Sequence, residues 1–339
     1  MTTLVPGTNV VIMKDKVLVT GGAGFIGSHI VDLLSENDYE VIVIDDLSSG
    51  RRENLYKGTK FYQLNIKDAQ QLEKVFNKEK PDYLIHEAAQ ISVSLSVREP
   101  LVDAQTNIFG SLNLLQNCVK YNVKGVVFAS SGGTVYGEPD SFPVNESHIL
   151  EPMSPYGISK VTVEHYLDFY KKNYQLDYVA LRYGNVYGPR QDPFGEAGVI
   201  AIFIQKMLKG ETPTINGDGE YIRDYVYVKD VAIANLLAIR CLIKPPQITS
   251  DRDNDIQKQH LNSYNLGTEK GTSVNELFAL LKEIMDFSFS ANYGPARPGD
   301  LRKNILDCQK IKSFFQWKPQ IELAEGFADT VRWFKENRY

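Results

Sequence analysis

The stretch Val17-Leu18-Val19-Thr20-Gly21-Gly22-Ala23-Gly24-Phe25-Ile26-Gly27-Ser28-His29 constrains this chain more than any other. An apolar run stops at glycine and an amphipathic segment begins at once, which reads as strand, tight loop and helix. Gly21 permits the sharp turn, Gly24 lets a ligand approach the main chain, and Gly27 lets the new helix sit close on the strand. A helix opening there, with Phe25 and Ile26 in its first turn, aims bare N–H groups and its positive dipole end at the loop. A dinucleotide pyrophosphate suits that cradle. Glycine spacing alone also fits an ordinary strand-to-helix turn, but a second apolar run, Val41-Ile42-Val43-Ile44, ends in Asp45-Asp46 about 20 residues further on. An acid at that strand end accepts from a ribose 2′-hydroxyl and repels a 2′-phosphate, which predicts NAD over NADP.

Composition narrows the class of molecule. The 339 residues suffice for one large α/β domain or two smaller ones. A net charge of −5 gives no basis for binding nucleic acid or a membrane surface. No apolar run approaches a membrane span, and the first residues lack a signal-peptide pattern. Cys118, Cys241 and Cys308 have neither metal-ligand nor disulfide spacing, so no metal site is expected and the thiols fit a reducing cytoplasm. Residues 1–15 precede the first strand without an evident role, and Met13 stands as an alternative start.

Further along, strand and helix patterns keep alternating. Lys60 to Ile66 reads as a third strand, Asp68 as the cap of a helix over Gln70 to Phe76, Asp82 to His86 as a fourth strand, and Gly125 to Ala129 as a fifth. A long helix is expected from about Pro100 to Lys120. The fourth strand runs into Glu87-Ala88-Ala89-Gln90, where Ala88 and Ala89 leave room for a cofactor to cross the strand end. A polar insertion over Pro245 to Asn262 reads as a solvated loop. A strand over Ser263 to Gly267 and a helix from about Ser273 to Met285 follow. The alternation predicts an α/β fold, a Rossmann-like doubly wound parallel sheet over residues 16–185. A smaller C-terminal α/β substrate-binding lobe over residues 186–339 is expected to return some strands and helices to it.

The fifth strand ends in Ser130-Ser131-Gly132-Gly133-Thr134-Val135-Tyr136, which delivers hydroxyls to the sheet edge where such folds bind ligands. By itself this is a Ser/Gly-rich turn. The stretch Ser154-Pro155-Tyr156-Gly157-Ile158-Ser159-Lys160 gives it meaning, because Tyr156 and Lys160 are four apart and share one helix face. An ammonium beside a phenol favours the phenolate and predicts a Tyr pKa drawn from about 10 toward neutrality. Such a phenolate can take a proton from a substrate hydroxyl while the same carbon loses hydride to a nicotinamide.

The spacing Gly21-x-x-Gly24-x-x-Gly27, the serine-rich strand end and Tyr156-x-x-x-Lys160 resemble the extended short-chain dehydrogenase/reductase family, and within it the UDP-hexose 4-epimerases. The likeness runs from about Lys16 to about Lys335. It is sharpest at Leu181-Arg182-Tyr183-Gly184-Asn185-Val186-Tyr187-Gly188-Pro189-Arg190, at Gly217-Asp218-Gly219 with Arg223-Asp224-Tyr225, and at Arg297-Pro298-Gly299-Asp300. The resemblance implies NAD as cofactor, a UDP-sugar as substrate, and a homodimer formed through a helix bundle that includes the segment around Tyr156. It implies Tyr156, Lys160 and Ser131 as catalytic residues. Counting from Phe128 selects Ser131 and counting back from Tyr136 selects Gly132, so one extra glycine in the turn reconciles the two; Ser130 and Thr134 are the reserves.

The same resemblance puts Asn107 and Lys160 at the nicotinamide end, Asp45 at the adenine ribose, and Asn65 with Ile66 at the adenine, Asn65 replacing the family's usual Asp. Arg223 and Arg297 can clamp a diphosphate to which Asn185 donates an amide hydrogen bond, and Asp300 can accept from a ribose. Val199 and the segment Thr214 to Asn216 resemble the family's uracil-contacting parts. Glu87 stands where the family usually has an apolar residue, and the sequence offers no reason for it.

In these epimerases a position shortly after the Arg-Pro-Gly-Asp turn lines the pocket beside the sugar's C2 substituent. A bulky Tyr there resembles enzymes restricted to glucose and galactose. Here it is Asn304, which leaves room for an acetamide and can hydrogen-bond it. The expected activity is interconversion of UDP-GlcNAc and UDP-GalNAc through a 4-keto intermediate, with UDP-glucose and UDP-galactose as the alternative pair. Three other readings stay open. A 4,6-dehydratase would need an acid pair where this chain has Gly132-Gly133. A UDP-glucuronate epimerase or decarboxylase is kept open by Arg302. A protein that binds NAD without turnover need not keep Tyr156, Lys160 and a diphosphate clamp.

Overall fold

The computed structural model describes residues 14–194, 198–245, 262–296 and 301–337. Strand β1 (Lys16–Thr20) leads through the glycine turn into α1 (Phe25–Glu36), then β2 (Glu40–Asp45), β3 (Lys60–Gln63), α2 (Ala69–Glu79) and β4 (Tyr83–His86). Short helices α3 (Val93–Arg98) and α4 (Pro100–Ala104) follow, and a π-helical stretch, Gln105–Phe109, joins α4 to α5 (Gly110–Lys120). Next come β5 (Gly125–Ser131), α6 (Pro155–Tyr174) and β6 (Asp177–Tyr183). The second half adds β7 (Asn185–Tyr187), α7 (Val199–Leu208), β8 (Thr214–Asn216), β9 (Ile222–Tyr227), α8 (Val228–Ile243), β10 (Ser263–Leu266) and β11 (Gly271–Ser273). It closes with α9 (Val274–Met285), β12 (Asn292–Gly294), β13 (Lys303–Asn304), α10 (Gln309–Phe315) and α11 (Leu323–Asn337).

Seven strands pair in the order β10-β6-β5-β4-β1-β2-β3, all in parallel. Their apolar runs are continuous because both faces are covered. Val17, Val19, Val43, Ile85, Val127 and Leu181 pack with residues of α1 and α8 on one face. Leu18, Ile42, Leu84, Val126, Phe128 and Ala180 pack with residues of α2, α5 and α6 on the other. The chain order reverses between β1 and β4, and open α/β sheets take their ligands in the crevice at that point. A third core forms from α7, β9, α9 and α11. Beside it β11, β9 and β13 make a small sheet that β7 joins, and β12 pairs with β8. The late elements β10 and α8 return to the main sheet.

Three details depart from the sequence reading. β3 ends at Gln63, short of Ile66, because Asn65 turns the chain: its carbonyl accepts from Lys67 N and its amide donates to Asp46. The helix over Pro100 to Lys120 carries a π-helical turn at its centre. β5 runs on to Ser131. Most of the Pro245 to Asn262 insertion, together with Arg297 and Asp300, lies outside the described residues. Among the described residues no helix is long and apolar enough to cross a membrane, and no group of His, Cys, Asp and Glu could hold a metal ion.

Candidate active site

The glycine loop is packed to the limit of its main chain. Gly21 has φ +69°, and a Cβ on it would stand 2.7 Å from Ala88 N. A Cβ on Gly27 would stand 2.2 Å from the Gly21 carbonyl oxygen. Helix α1 opens on Gly24 with no side-chain cap and no acid in its first turn, so nothing of its own competes with an incoming anion. Asp45 is buried at the end of β2, where Oδ2 accepts from Ala23 N at 3.0 Å and Oδ1 from Leu47 N at 2.8 Å. Burial raises its carboxyl, and these main-chain N–H groups oppose the rise. Phe25 and Ile26 pack at the start of α1, and Ile66 is buried where a Cβ on Gly110 would meet it. A side-chain-free cradle, an uncapped helix start and an acid at the second strand end fit a dinucleotide.

Asn107 lies on the π-helical stretch and is buried. Its Oδ1 accepts from Gln90 N at 2.8 Å, and its amide donates to Gln90 O and to Asp103 Oδ1, both at 2.9 Å. The widened turn thus presses Asn107 against the loop after β4. The side chain braces the segment that carries Ala88 and Ala89; its amide is already engaged there.

The reacting groups meet at the ends of β5 and β6. Tyr156 is in the first turn of α6, whose cap Ser154 accepts from Gly157 N at 3.2 Å behind Pro155. Lys160 follows one turn later and is buried; its Nζ donates to Ala129 O at 2.8 Å and lies 5.5 Å from the Tyr156 ring centre. The Ser131 side chain is near enough to the Tyr156 phenol to favour its ionised form. Gly132 leaves no room for a side chain, since its Cβ would stand 2.5 Å from Leu306 Cδ1. Ser130 donates to Glu164 Oε1 at 2.5 Å, and the buried Thr134 hydroxyl has no hydrogen-bond partner. Of these positions, Ser131 is the one whose side chain acts on the Tyr156 phenol.

The electrostatics differ from the sequence expectation. Burial pushes the Tyr156 phenol up, Asp103 and Glu87 push the same way, and the Ser131 side chain opposes them. Lys160 Nζ donates to the Ala129 carbonyl and is not among the groups that shift the phenol. The ammonium itself is lowered to about 8 by burial, against the charges of Glu87, Asp103 and Glu164.

On the substrate side, β7 and β13 bring residues far apart in sequence onto β9. Asn185 is the register partner of Tyr225, and Asn304 that of Arg223. Asn185 Oδ1 lies 4.0 Å from where a Cβ on Gly133 would stand, close to the serine turn. Asn304 is buried; its amide donates to Gly132 O at 3.1 Å and its Oδ1 has no hydrogen-bond partner. Arg223 Nη1 donates to Ile222 O at 2.9 Å. Thr214 and Asn216 lie on β8, and Val199 opens α7. Sequence reading assigned nothing to Asp103 or Tyr183. Asp103 carries no motif, and Tyr183 sits inside a family-like stretch that does not mark it out.

Residues 17–248 match the profile of the NAD dependent epimerase/dehydratase family. The chain is similar to a UDP-glucose 4-epimerase from Thermotoga maritima, solved with UDP-glucose: 50% identity, TM-score 0.88, 96% of this chain and 100% of that one. It is also similar to the Thermus thermophilus UDP-glucose 4-epimerase in complex with NAD, at 42% identity and TM-score 0.84 over 94% and 99% of the two chains. A UDP-N-acetylglucosamine 4-epimerase from Methanobrevibacter ruminantium, in complex with UDP-N-acetylmuramic acid, shares 40% identity and TM-score 0.85 over 96% and 100%.

Proposed function

The chain belongs to the NAD dependent epimerase/dehydratase family and is an NAD-dependent 4-epimerase of UDP-sugars, and we propose that it favours UDP-GlcNAc and UDP-GalNAc over the plain hexoses. Asn304 carries this preference. It is buried beside the serine turn with one polar atom unpartnered, and an Asn there occupies much less space than a Tyr. A buried polar atom without a partner is costly, and an acetamide N–H would supply one. In Asn304→Tyr, turnover of UDP-GlcNAc relative to UDP-glucose should fall by on the order of 10–100-fold, read by NMR of the two nucleotide sugars incubated separately. An unchanged ratio would remove Asn304 from the pocket.

Tyr156, once in its phenolate form, takes the C4 hydroxyl proton, and Ser131 beside it holds the same oxygen. When bound, NAD supplies reversible oxidation at C4 and regains its starting state in each turnover. Asn185 and Arg223, with Arg297, hold the diphosphate while the 4-ketose turns over. Tyr156 then returns the proton to the other epimer. Asp45 serves the adenine ribose, and Gly21, Gly24 and Gly27 the pyrophosphate.

Two rival activities fit less well. A dehydratase needs acids at Gly132 and Gly133, and Leu306 fills the space at Gly132. A uronate enzyme would use Arg302, which instead holds Asp218 through both terminal nitrogens, each at 2.8 Å, on an exposed surface.

The homodimer belongs to the same proposal. Leu101 and Phe109 on the α4-to-α5 segment and Ile158 and Phe169 on α6 expose large apolar side chains. Exposed apolar area of this kind marks an interface. Sedimentation should give a dimer that Phe109→Glu converts to monomer; a monomeric parent would move these residues to another role. The free thiols Cys118, Cys241 and Cys308 support action in the cytoplasm.

A further inference from the structure

Glu87 is a charged side chain beside the reacting centre that the mechanism above leaves without a task. Its Oε1 accepts from the Tyr183 hydroxyl at 2.8 Å, and that hydroxyl accepts from Asn235 Nδ2 at 2.8 Å. Glu87 follows β4, Tyr183 ends β6, and β5 with Ser131 lies between them. Ser131 and Tyr183 are register partners. The hydrogen bond therefore crosses the strand that delivers Ser131 and fixes the Glu87 carboxyl at the edge of the cleft.

The charges facing this point can be counted. Lys160 and Tyr156 come from α6, Asp103 from α4, and Glu164 from α6, where Arg182 neutralises it. His86, the preceding residue, is held uncharged by burial, at about 3. Burial raises the Glu87 carboxyl to about 7, and Tyr183 and Lys160 oppose the rise. The Glu87 charge acts on both members of the pair: it keeps the Lys160 proton on and it keeps the Tyr156 proton on. The sign is therefore the same whichever of the two releases the proton.

We propose that Glu87 is a positioning residue that sets the pH at which the Tyr156–Lys160 pair releases its proton, its carboxylate being fixed across the sheet edge by Tyr183. This rests on Tyr156 being the base, and the test separates the two ideas. Glu87→Gln keeps the acceptor for Tyr183 and removes the charge. The acid-side midpoint of its kcat profile should move to lower pH by about one unit. The Tyr156 tyrosinate midpoint should move the same way. It is read without substrate from the ultraviolet difference between the protein and its Tyr156→Phe variant, each made with and without Glu87→Gln. Tyr183→Phe removes the hydrogen bond that favours the carboxylate, so it should give a smaller shift in the same direction, and none beyond Glu87→Gln when the two are combined. If Glu87→Gln melts early, Tyr183→Phe carries the test alone. A tyrosinate midpoint that stays put or rises, or a kcat loss with an unmoved pH profile, would overturn the proposal. A protein that turns over no UDP-sugar would instead overturn the assignment of the base, and the tyrosinate titration would still decide the role of Glu87.

Discussion

Tyr156→Phe is expected to lower kcat for epimerisation by about 10²–10⁴-fold while leaving the melting temperature and NAD affinity near those of the parent. The substitution removes one oxygen. The ring stays on the first turn of α6, and Ser154 still caps that turn through Gly157 N. Lys160 still donates to Ala129 O, so the ammonium keeps its anchor. The neighbour most affected is Ser131, at the partly exposed end of β5, where water can take the place of the phenol oxygen. The glycine loop and Asp45 lie on β1, α1 and β2 and do not depend on the phenol. NMR of UDP-GlcNAc and UDP-glucose with the variant, beside equilibrium dialysis of NAD, reads both halves of the expectation. Retained turnover would transfer the base to another group. Lost NAD binding with lost turnover would make Tyr156 part of the cofactor site.

What the sequence made legible follows from the range of the interactions involved. The Gly21, Gly24 and Gly27 cradle, the acid ending β2, and the shared helix face of Tyr156 and Lys160 depend on neighbours within a few residues, so spacing alone reveals them. Spacing leaves Ser131 within a short stretch because a glycine inserted in a turn shifts two counts by one; the contact of Gly132 with Leu306 is set by a residue far away in the chain. Other features are set by contacts that no local pattern records. Asn304 reaches the Gly132 carbonyl across 172 positions, and Glu87 meets Tyr183 across 96. The π-helical turn that swings Asn107 onto Gln90 is a change of hydrogen-bond register inside an ordinary helical sequence. The Tyr156 shift has a related origin: helical spacing brings Lys160 near, but burial and the carboxylates of Asp103 and Glu87 set its direction.

Removing the Glu164 carboxylate should cost the fold about 3–5 kcal/mol, because it would leave the Arg182 guanidinium buried and unpaired. Glu164 Oε1 accepts from Ser130 Oγ at 2.5 Å and Arg182 Nε at 3.0 Å; Oε2 accepts from Arg182 Nη2 at 2.6 Å and Ser263 Oγ at 3.0 Å. Arg182 is 1% exposed and spans to the Tyr136 hydroxyl at 2.8 Å. One carboxylate therefore ties α6 to β5, β6 and β10. Glu164→Ala should show its cost in urea unfolding, whereas Glu164→Leu with Arg182→Met should recover much of it, since apolar residues of similar volume replace a buried pair at little net cost. The pH dependence has a definite sign. Burial works to raise the Glu164 carboxyl, but Arg182, Ser130 and Ser263 outweigh it and hold the folded value below the ordinary one. The stability it contributes is present above the usual carboxylate range and is lost as pH falls through the lowered folded value, so the Leu/Met pair should lose less stability in acid than the parent. The same anchor governs the site, because Glu164 is one helical turn beyond Lys160 and its partner Ser130 precedes Ser131. Glu164→Ala should therefore lower kcat at temperatures where the variant is still folded. A cost below about 1 kcal/mol would mean that water enters to solvate Arg182 and that the network is not the clamp its geometry suggests.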